Sequence, residues 1–510
     1  MKRSSPSSSS NLEDSLIFKF KKMSQIISTV MQQAQEAFEH YRQVSGKNRA
    51  IFLETIAEEI EGLKDSLVAI AHQETNLPLP RLQGEIGRTT GQLRMFARLI
   101  AEGSWVEACI DTANPDRVPP KPDTRKMLVP IGPVAIFGAS NFPFAFSTAG
   151  GDTASALAAG VSVVIKAHPA HPETSALMFS AMEKAIARCQ MHPFTIQHLN
   201  DASNETGKAL VMHPLTTAVG FTGSQAGGKA LKAYADQREV PIPVFAEMSS
   251  INPVVLFPEY LNQTNTTLAK TLAGSISLGM GQFCTKPGLL LAIDSPALST
   301  FSETLEHELT QVALHPMLHT GIAKAFDKAR YTITSQAGVA SEASLAVVED
   351  LEKPTPSLAK VSAKDFIENP LLHEEAFGPF ALLVICQDVQ ELSQALKALG
   401  GQLTTTLMAT EQDVENYPEI LSLQCSLAGR VILNAAPTGV EVAASMVHGG
   451  AYPSTFDARY TSVGTSAIKR WVRPICLQGF KDWMLPEELK DGNPLKIWRL
   501  VNDTFTNETI

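Results

Sequence analysis

The strongest constraint on how this chain can fold is a regular alternation of short apolar runs with helical segments. Runs at 134–137, 161–165 and 218–221 each end at a polar or glycine residue, and the segments between them are long enough to form helices. Strands that alternate with helices of this length favour a parallel sheet with helices on both faces. The pattern predicts a doubly wound α/β domain, and a second alternating set over 254–443 predicts a further α/β domain.

The segments that precede this alternation have other patterns. Helical spacing of apolar residues dominates 24–72 and returns at about 83–102. The Pro-rich, charged stretch 112–130 is expected to be a linker or an extended hairpin arm. The Ser-rich stretch 1–22 lacks the long apolar centre of a secretory signal and is predicted to be a disordered tail.

Charge and cysteine usage argue against several classes of protein. The net charge is −10 and no long basic run offsets it, which argues against nucleic acid as the main partner. The six cysteines are scattered without a CxxC pair, so we expect a reduced, cytoplasmic chain with neither a disulfide framework nor a metal site. No apolar run approaches the roughly 18 residues that span a membrane, so no membrane span is expected.

One cysteine lies where its sulfur can react. Cys284 is in the loop 281–287, Gly-Gln-Phe-Cys-Thr-Lys-Pro, between a small-residue helix predicted over 272–278 and an apolar strand predicted over 288–293. At such a junction a backbone N–H and solvent can reach the sulfur, as thiolate chemistry requires. The other interpretation is an inert small hydrophobe. The remaining motifs decide between these two interpretations.

Polar side chains follow the first two apolar runs. Asn141 comes just after 134–137, where its amide can donate to a developing oxyanion or else cap the next helix. Lys166 ends the run 161–165 and can bind a ribose hydroxyl or a phosphate, or be a solvated lysine. His168 lies in the Pro-bounded loop that follows and is expected to be structural or to face a phosphate. Ligands of open α/β sheets bind at the carboxyl ends of strands, where these residues lie.

Glycines and carboxylates follow the later runs. Gly223, Ser224 and Gly228 lie in a turn that opens a helix, where free N–H groups can bind phosphate or a tight turn can form. Glu247 follows an apolar strand; a carboxylate there has a raised pKa and can act as a general base, although most single glutamates do not. Glu375 precedes a Phe-Gly-Pro turn and can contact a ligand hydroxyl or simply face solvent.

In their order and approximate spacing, these five stretches and the Cys284 loop resemble the aldehyde dehydrogenase superfamily. The resemblance covers about 24–501, and its nearest branch is the α-ketoglutaric semialdehyde dehydrogenases, followed by bacterial NADP-linked fatty aldehyde dehydrogenases. It implies a doubly wound parallel-sheet cofactor domain, an α/β catalytic domain and a small oligomerisation arm. The implied boundaries are 1–22 for the tail, 23–111 and 131–246 for the cofactor-binding domain, 247–475 for the catalytic domain, and 112–130 with 476–510 for the arm and the C-terminal tail.

The resemblance also implies a role for each matched residue. Cys284 is the nucleophile that adds to the aldehyde carbon, Asn141 donates to the oxyanion together with the Cys284 backbone N–H, and Glu247 is the base. The implied cofactor-binding residues are Lys166 and His168 near the adenosine ribose, Gly223, Ser224 and Gly228 at the pyrophosphate turn, and Glu375 and Phe377 at the nicotinamide end. Arg88, from a helix, and His448, from the loop 446–453, are expected to line the substrate tunnel.

Two positions decide the expected cofactor and substrate. NAD-preferring relatives place a glutamate three residues after the lysine, whereas this chain has Pro169, so NADP is expected, with NAD also accepted. Arg88 can pair with the distal carboxylate of a semialdehyde, which favours α-ketoglutaric semialdehyde as substrate; a solvated arginine is the alternative.

A medium- or long-chain fatty aldehyde dehydrogenase and a non-catalytic dinucleotide-binding protein are the other interpretations of the function. The resemblance further implies a homodimer or homotetramer built by the arm.

Overall fold

The described part of the chain forms three sheets, two of them covered by helices. The computed structural model describes residues 8–341 and 352–510, with side chains from Met23 onward. The helices are α1 Ser8–Tyr41, α2 Gly46–Gly62, α3 Lys64–Thr75, α4 Leu79–Glu102, α5 Gly151–Ala159, α6 Pro172–Arg188, α7 Asn204–Met212, α8 Gln225–Asp236, α9 Pro258–Ser277, α10 Pro296–Thr310, α11 Thr320–Thr334, α12 Ala363–Glu368, α13 Val389–Lys397, α14 Glu411–Asn416 and α15 Pro418–Leu427. The strands are β1 Cys109–Asp111, β2 Thr124–Pro130, β3 Val134–Phe137, β4 Val163–Lys166, β5 Ile196–Leu199, β6 Ala218–Thr222, β7 Val244–Glu247, β8 Val254–Leu256, β9 Leu289–Ile293, β10 Ala340–Ser341, β11 Ser357–Ser362, β12 Phe380–Cys386, β13 Gln402–Met408, β14 Ala428–Leu433, β15 Val472–Gln478, β16 Arg499–Val501 and β17 Thr504–Thr506.

The first sheet has the strand order β5-β4-β3-β6-β7, and all its neighbouring strands are parallel. Its strands are almost continuously buried because helices cover both faces. The doubly wound parallel sheet predicted from the alternation is therefore confirmed. The strand order reverses between β3 and β6, and ligands of such sheets bind at the reversal. Asn141 follows β3 and Gly223 follows β6, so both lie at this point.

The second sheet has the strand order β10-β11-β12-β9-β8-β13-β14 and is parallel except where β10 meets β11. Its strand order reverses between β8 and β13, and the Cys284 loop leads directly into β9, the other neighbour of β8. The helix before this loop is longer than predicted, because α9 begins at Pro258 rather than at 272. Pro258 supplies the fixed φ of a first helical turn, and no later proline interrupts the segment.

The third sheet joins the predicted arm to the C-terminal segment, in the order β15-β2-β1-β16-β17. Strand β2 pairs antiparallel with β15, and β1 pairs parallel with β16. Of the two interpretations of 112–130, the structure supports the paired arm. The sheet begins at Cys109 in the arm and at Val472 in the C-terminal segment. The expected starts of these two segments, 112 and 476, are therefore three and four residues too late.

The N-terminal part of the chain differs from the prediction. Residues 1–7 of the expected disordered tail lie outside the described residues, but α1 begins at Ser8 and includes the rest of that tail. No glycine or proline occurs between Ser7 and Tyr41, so nothing in this stretch stops a helix from extending toward the N-terminus. Among the described helices, none combines the length and the apolarity needed to cross a bilayer.

Residues 448–471, called here the return segment, leave the second sheet and pack on the first. The segment ends in a 3-10 helix, Thr465–Trp471, whose Trp471 is fully buried in the core of the first α/β domain. Trp471 Nε1 donates to Ser155 Oγ at 2.8 Å, and Arg470 pairs with Asp152 at 2.7 Å. The expected catalytic domain, 247–475, therefore includes a segment whose core contacts belong to the cofactor domain.

Trp471→Ala is expected to lower the free energy of unfolding by about 3–5 kcal/mol, because it empties a fully buried aromatic site. Trp471→Phe keeps most of the packing but loses the hydrogen bond to Ser155, so its cost should be smaller, about 1–3 kcal/mol. Urea unfolding followed by circular dichroism measures both values. The exposed Tyr331→Ala is the control and should stay within about 0.5 kcal/mol of the parent chain. A Trp471→Ala variant as stable as this control would contradict the anchoring role.

Candidate active site

The Cys284 loop is fixed by a close backbone contact and by one asparagine. Gly281 has a φ of 67°, and a Cβ at this position would lie 2.2 Å from the backbone of Gly378, so only glycine fits. Asn252 Nδ2 donates to the carbonyl oxygens of Cys284 at 2.8 Å and of Lys286 at 3.0 Å. The loop therefore presents Cys284 at a defined position, with its side chain half-buried.

Cys284 lies against a buried histidine and a buried glutamate from distant parts of the chain. Its Sγ lies 3.4 Å from His448 Nε2, which in turn lies 2.9 Å from Glu247 Oε1. Ser462 Oγ donates to the other carboxylate oxygen of Glu247 at 2.6 Å. His448 is 1% exposed and Glu247 is 4% exposed, so bulk water has little access to either partner of the sulfur. Cys284, His448 and Glu247 are called the Cys–His–Glu cluster below.

The electrostatics of this cluster keep the proton on the sulfur at rest. Burial and the charge of Glu247 raise the pKa of the Cys284 thiol well above its ordinary value, and Arg88 opposes them. Burial also acts to raise the pKa of Glu247, but the charge of His448 and hydrogen bonds from His448 and Ser462 outweigh it and lower that pKa. The raised pKa predicted for Glu247 is therefore wrong, because the partners that counteract desolvation were not visible in the sequence. Glu247 is ionised and ready to accept the thiol proton.

His448 presents a hydrogen at Nε2. A ring nitrogen 2.9 Å from an ionised carboxylate oxygen carries a proton, so Nε2 donates to Glu247. The same nitrogen lies 3.4 Å from the Cys284 sulfur. The sequence predicted His448 on the wall of the substrate tunnel, and the structure places it in contact with the nucleophile. A donor at this position stabilises the thiolate once the thiol proton has left.

Asn141 contacts the Cys284 loop directly. Its side-chain Nδ2 donates to the backbone carbonyl oxygen of Gln282 at 3.1 Å. The backbone carbonyl oxygen of Asn141 accepts from Arg81 Nη2 at 2.5 Å. It does not cap the next helix, because α5 begins only at Gly151. Nδ2 carries two hydrogens, so the amide can hold the loop with one hydrogen and offer the other to a reacting oxygen.

Helix α4 presents two arginines to the same region. Arg81 and Arg88 are two helical turns apart and lie on one face. Arg81 Cζ lies 4.5 Å from the ring centroid of Phe283, and Arg88 Cζ lies 5.2 Å from that of Phe146. Arg88 is half-buried rather than solvated, and its buried Nε and Nη2 have no hydrogen-bond partner in the described part of the chain. A guanidinium in this state is suited to receive a carboxylate.

Glu375 lies on the wall of a cavity of about 330 Å³ that also touches Gln225, at the start of α8, and Ser249. Burial raises the pKa of Glu375 to about 7, while the charge of Lys286 opposes this. Lys286 Nζ donates to two backbone carbonyl oxygens of the loop that carries Glu375 and Phe377, at 3.0 and 2.9 Å. Lys286 therefore holds the backbone of the loop that brings Glu375 to the cavity, and Phe377 is half-buried two residues away.

The glycine-rich turn is a capped helix start with little free space. Ser224 Oγ accepts from the Gly227 N–H at 3.2 Å and caps α8. A Cβ on Gly223 would lie 2.7 Å from a phenylalanine ring, and one on Gly228 would lie 2.5 Å from Met248 Sδ. Close packing of α8 against Met248 therefore explains Gly228 without a cofactor, and its placement does not support the predicted cofactor contact. Gly223 and Ser224 remain at the helix start, as predicted for a phosphate-binding turn.

Lys166 and His168 differ in their capacity to bind an anion. Lys166 ends β4 and is 9% exposed, so it is not a solvated lysine; burial lowers its pKa and the charge of Asp201 opposes this. His168 stacks on His171 with the ring centroids 5.5 Å apart. Burial, followed by the charges of His171 and other neighbours, lowers the pKa of His168 to about 3. His168 is therefore neutral near pH 7, which favours its structural interpretation and leaves Lys166 as the cation at this strand end.

Sequence reasoning missed three residues that shape the site. Glu85 Oε1 accepts from two backbone N–H groups of the loop after Asn141, at 2.8 and 2.9 Å, and Arg81 holds the same loop. Both share the α4 face with Arg88, so helical spacing was a usable signal for them. Ser462 had no local signal, since its contact with Glu247 exists only after folding.

Comparison with known proteins agrees with this geometry. Residues 13–473 match the aldehyde dehydrogenase family, and the chain belongs to that family. It is 46% identical over 477 residues to the α-ketoglutaric semialdehyde dehydrogenase of Acinetobacter baylyi, covering 93% of this chain and 90% of that protein. It is 47% identical over 468 residues to α-ketoglutaric semialdehyde dehydrogenase 2 of Azospirillum brasilense, covering 92% and 89%.

A solved structure shows the same fold at low sequence identity. Betaine aldehyde dehydrogenase of Staphylococcus aureus in complex with NAD⁺ superposes with a TM-score of 0.75 at 18% identity, covering 89% of this chain and 86% of that one. Together with the family match, the fold and the Cys–His–Glu cluster define an enzyme that oxidises aldehydes. The non-catalytic interpretation is not favoured.

Glu247→Gln and Arg88→Met are expected to move the pKa of Cys284 in opposite directions. The negative charge of Glu247 raises this pKa and the positive charge of Arg88 lowers it. The glutamine variant should therefore form thiolate at lower pH than the parent chain, and the methionine variant at higher pH. The measurement is the pH dependence of iodoacetamide alkylation at Cys284, read by mass spectrometry.

Cys425 provides an internal control for this measurement, since it is exposed and its alkylation should have the same pH dependence in all three proteins. Shifts of Cys284 in the same direction in both variants would refute the electrostatic account of the cluster.

Proposed function

We propose that this enzyme oxidises α-ketoglutaric semialdehyde, a short aldehyde with a carboxylate at its far end, to the corresponding dicarboxylate. The observation that carries the proposal concerns Arg88, whose charge acts on Cys284. Its buried Nε and Nη2 have no hydrogen-bond partner among the residues that the structure describes. A buried polar group without a partner is costly, so this cation is suited to an anionic group on the ligand. Arg81 adds a second positive charge on the same helix face. Similarity to two enzymes named for this substrate supports the same choice.

The first step forms the carbon–sulfur bond. Ionised Glu247 takes the Cys284 proton while the Nε2–H of His448 faces the sulfur, and the thiolate adds to the aldehyde carbon. The aldehyde oxygen becomes negative in the thiohemiacetal and accepts hydrogen bonds from Asn141 Nδ2 and the Cys284 backbone N–H. A nicotinamide dinucleotide, when bound, supplies the hydride acceptor that converts the thiohemiacetal to a thioester.

The second step hydrolyses the thioester. Once Glu247 has released the thiol proton to solvent, its carboxylate can take a proton from a water molecule that attacks the thioester carbon. Ser462 and His448 hold the carboxylate in place through this step. The thiolate of Cys284 then leaves, and the carboxylate product is freed beside Arg88. One base therefore serves both steps.

The residues at the sheet edges fit a nicotinamide dinucleotide. The cavity of about 330 Å³ runs between the start of α8 and Glu375, whose carboxyl group is suited to ribose hydroxyls. The turn at Gly223 and Ser224 lies at the same helix start, where N–H groups favour phosphate. Lys166 ends β4, which is separated from β6 by β3 alone, and there it can contact the second ribose.

NADP is expected to be the preferred cofactor, because Pro169 leaves no carboxylate to repel a 2′-phosphate and Lys166 supplies a nearby cation. The measurement is kcat/KM for NADP and for NAD at a fixed aldehyde concentration. Lys166→Met should lower the NADP value roughly tenfold more than the NAD value, as expected for loss of one charge-assisted contact. NADP at least about tenfold poorer than NAD in the parent enzyme would show the preference to be wrong.

Arg88→Met is expected to raise the KM for α-ketoglutaric semialdehyde by about 10- to 100-fold, since it removes one charged hydrogen-bond partner. The KM for a neutral aldehyde of similar length should change by less than about threefold. The assay follows reduced nucleotide formation with both aldehydes, and Cys284→Ser is the blank. Arg94→Met is the matched control, because Arg94 lies on the same helix but pairs with Glu54 and Glu61 at the surface.

Two outcomes would overturn the substrate assignment. Equal losses with both aldehydes would remove Arg88 from carboxylate recognition. A clear preference of the parent enzyme for long neutral aldehydes would replace the proposed substrate with that of a fatty aldehyde dehydrogenase.

We also propose that the enzyme is a cytoplasmic homodimer or homotetramer assembled through the third sheet. Large apolar side chains in or next to this sheet are exposed, namely Phe480, Trp483, Trp498 and Phe505. Exposed aromatic groups of this kind are typical of interfaces between subunits. All six cysteines are free, which suits a reducing compartment.

A further inference from the structure

We infer that the Cys–His–Glu cluster also binds a soft divalent cation of the Zn²⁺ class, and that this cation holds the enzyme in an inhibited state. Cys284, His448 and Glu247 each offer one ligand atom, and these atoms all lie within 4.8 Å of one another. Thiolate, imidazole and carboxylate are the ligands that zinc takes in proteins. The sequence predicted no metal site because these residues are far apart along the chain, and only the fold brings them together.

The spacing of the ligand atoms is close to that around a tetrahedral zinc ion. Zn–S bonds of about 2.3 Å and Zn–N bonds of about 2.0–2.1 Å place a sulfur and a nitrogen ligand about 3.5 Å apart, and a nitrogen and an oxygen ligand about 3.3 Å apart. Here Cys284 Sγ lies 3.4 Å from His448 Nε2, which lies 2.9 Å from Glu247 Oε1. These two separations are within a few tenths of an ångström of the zinc values, and the third pair, Cys284 and Glu247, lies within 4.8 Å. A water molecule completes the coordination.

Each ligand is already held by a neighbour. The backbone N–H of His448 donates to Thr461 Oγ1 at 2.8 Å, and Ser462 Oγ fixes Glu247 at 2.6 Å. Asn252 holds the backbone of Cys284 at 2.8 Å. Outer hydrogen bonds of this kind orient metal ligands and raise affinity. The cluster therefore does not have to be ordered by the ion.

The charges balance when the ion binds. The thiol of Cys284 loses its proton to solvent, so thiolate and the Glu247 carboxylate together neutralise the cation, and Nε2 of His448 gives up its hydrogen to bind the ion, which leaves the ring hydrogen on Nδ1. In the described residues Nδ1 is buried without a hydrogen-bond partner, and the nearby Arg88 repels a cation. Both features make the site weaker than a structural zinc site, as reversible inhibition requires.

Binding of the ion blocks the nucleophile. A sulfur that coordinates a cation cannot add to an aldehyde carbon, and the cation also occupies the oxygen of Glu247 that accepts the thiol proton. The ion and the aldehyde therefore compete for one atom. This inference depends on the cluster and not on which aldehyde is the substrate, because metal binding is measurable without aldehyde or nucleotide.

The first test is a titration of the full-length enzyme with Cd²⁺ alone, read by the ultraviolet charge-transfer band of a cadmium thiolate. We expect one thiolate-bound Cd²⁺ per chain, no such band in Cys284→Ser, and at least about tenfold weaker binding in His448→Ala. Arg88→Met should bind Cd²⁺ more tightly, since a repelling charge is removed. A band that persists in Cys284→Ser, or is unchanged in His448→Ala, would overturn the site.

The second test separates this cluster from the surface group Glu36, His40 and His192, whose ligand atoms are also close enough for an ion. Zn²⁺ should inhibit the parent enzyme competitively with the aldehyde, and a chelator should restore activity. His40→Ala should be inhibited like the parent. Zn²⁺ should also protect Cys284, but not the exposed Cys425, from alkylation. Loss of inhibition in His40→Ala, or no protection of Cys284, would refute the proposal.

Discussion

The hydrogen bonds from His448 and Ser462 to Glu247 are the contacts on which the site depends. They join the end of a strand in the first sheet to the return segment, which comes from the second α/β domain. A carboxylate as deeply buried as Glu247 would be unstable without such partners. With them, its pKa is low rather than high, so it is a base at rest instead of an acid. The anchoring of Trp471 in the neighbouring core keeps these donors in place.

Helix α4 links the chemistry to the ligand. Its Glu85 and Arg81 hold the loop that carries Asn141, and two buried nitrogens of its Arg88 have no hydrogen-bond partner among the described residues. The proposed oxyanion donor and the proposed cation for the distal carboxylate thus both depend on one helix. Arg88 and Glu247 act on Cys284 with opposite charges. Together they determine how readily the thiolate forms, because Arg88 lowers the pKa of the thiol and Glu247 raises it. The same two charges underlie both proposals for this site, an anionic aldehyde attracted by Arg88 and a cation attracted by Glu247.

Much of the fold followed from local patterns. The alternation after Val134 predicted the parallel sheets, and residues at strand ends marked the site, because parallel strands bring their carboxyl ends to one edge. Where prediction failed, the missing information was a contact. Glu247 was expected to have a raised pKa because its two hydrogen-bond donors are more than two hundred residues away along the chain. The close contact of Gly228 with Met248 was likewise not visible, and its assignment to the cofactor stays a prediction.

The sequence by itself determined which residue types stand at strand ends and helix starts, and its resemblance to a known family singled out Cys284, Asn141 and Glu247 among them. Those positions depend on local periodicity and chain order, which a sequence contains in full. Only the tertiary structure decided that His448 contacts the sulfur, that Ser462 contacts Glu247, and that two buried nitrogens of Arg88 have no hydrogen-bond partner among the described residues. The physical reason is that pKa values and ligand preferences depend on distances of a few ångströms and on burial, and both exist only after distant segments have packed together.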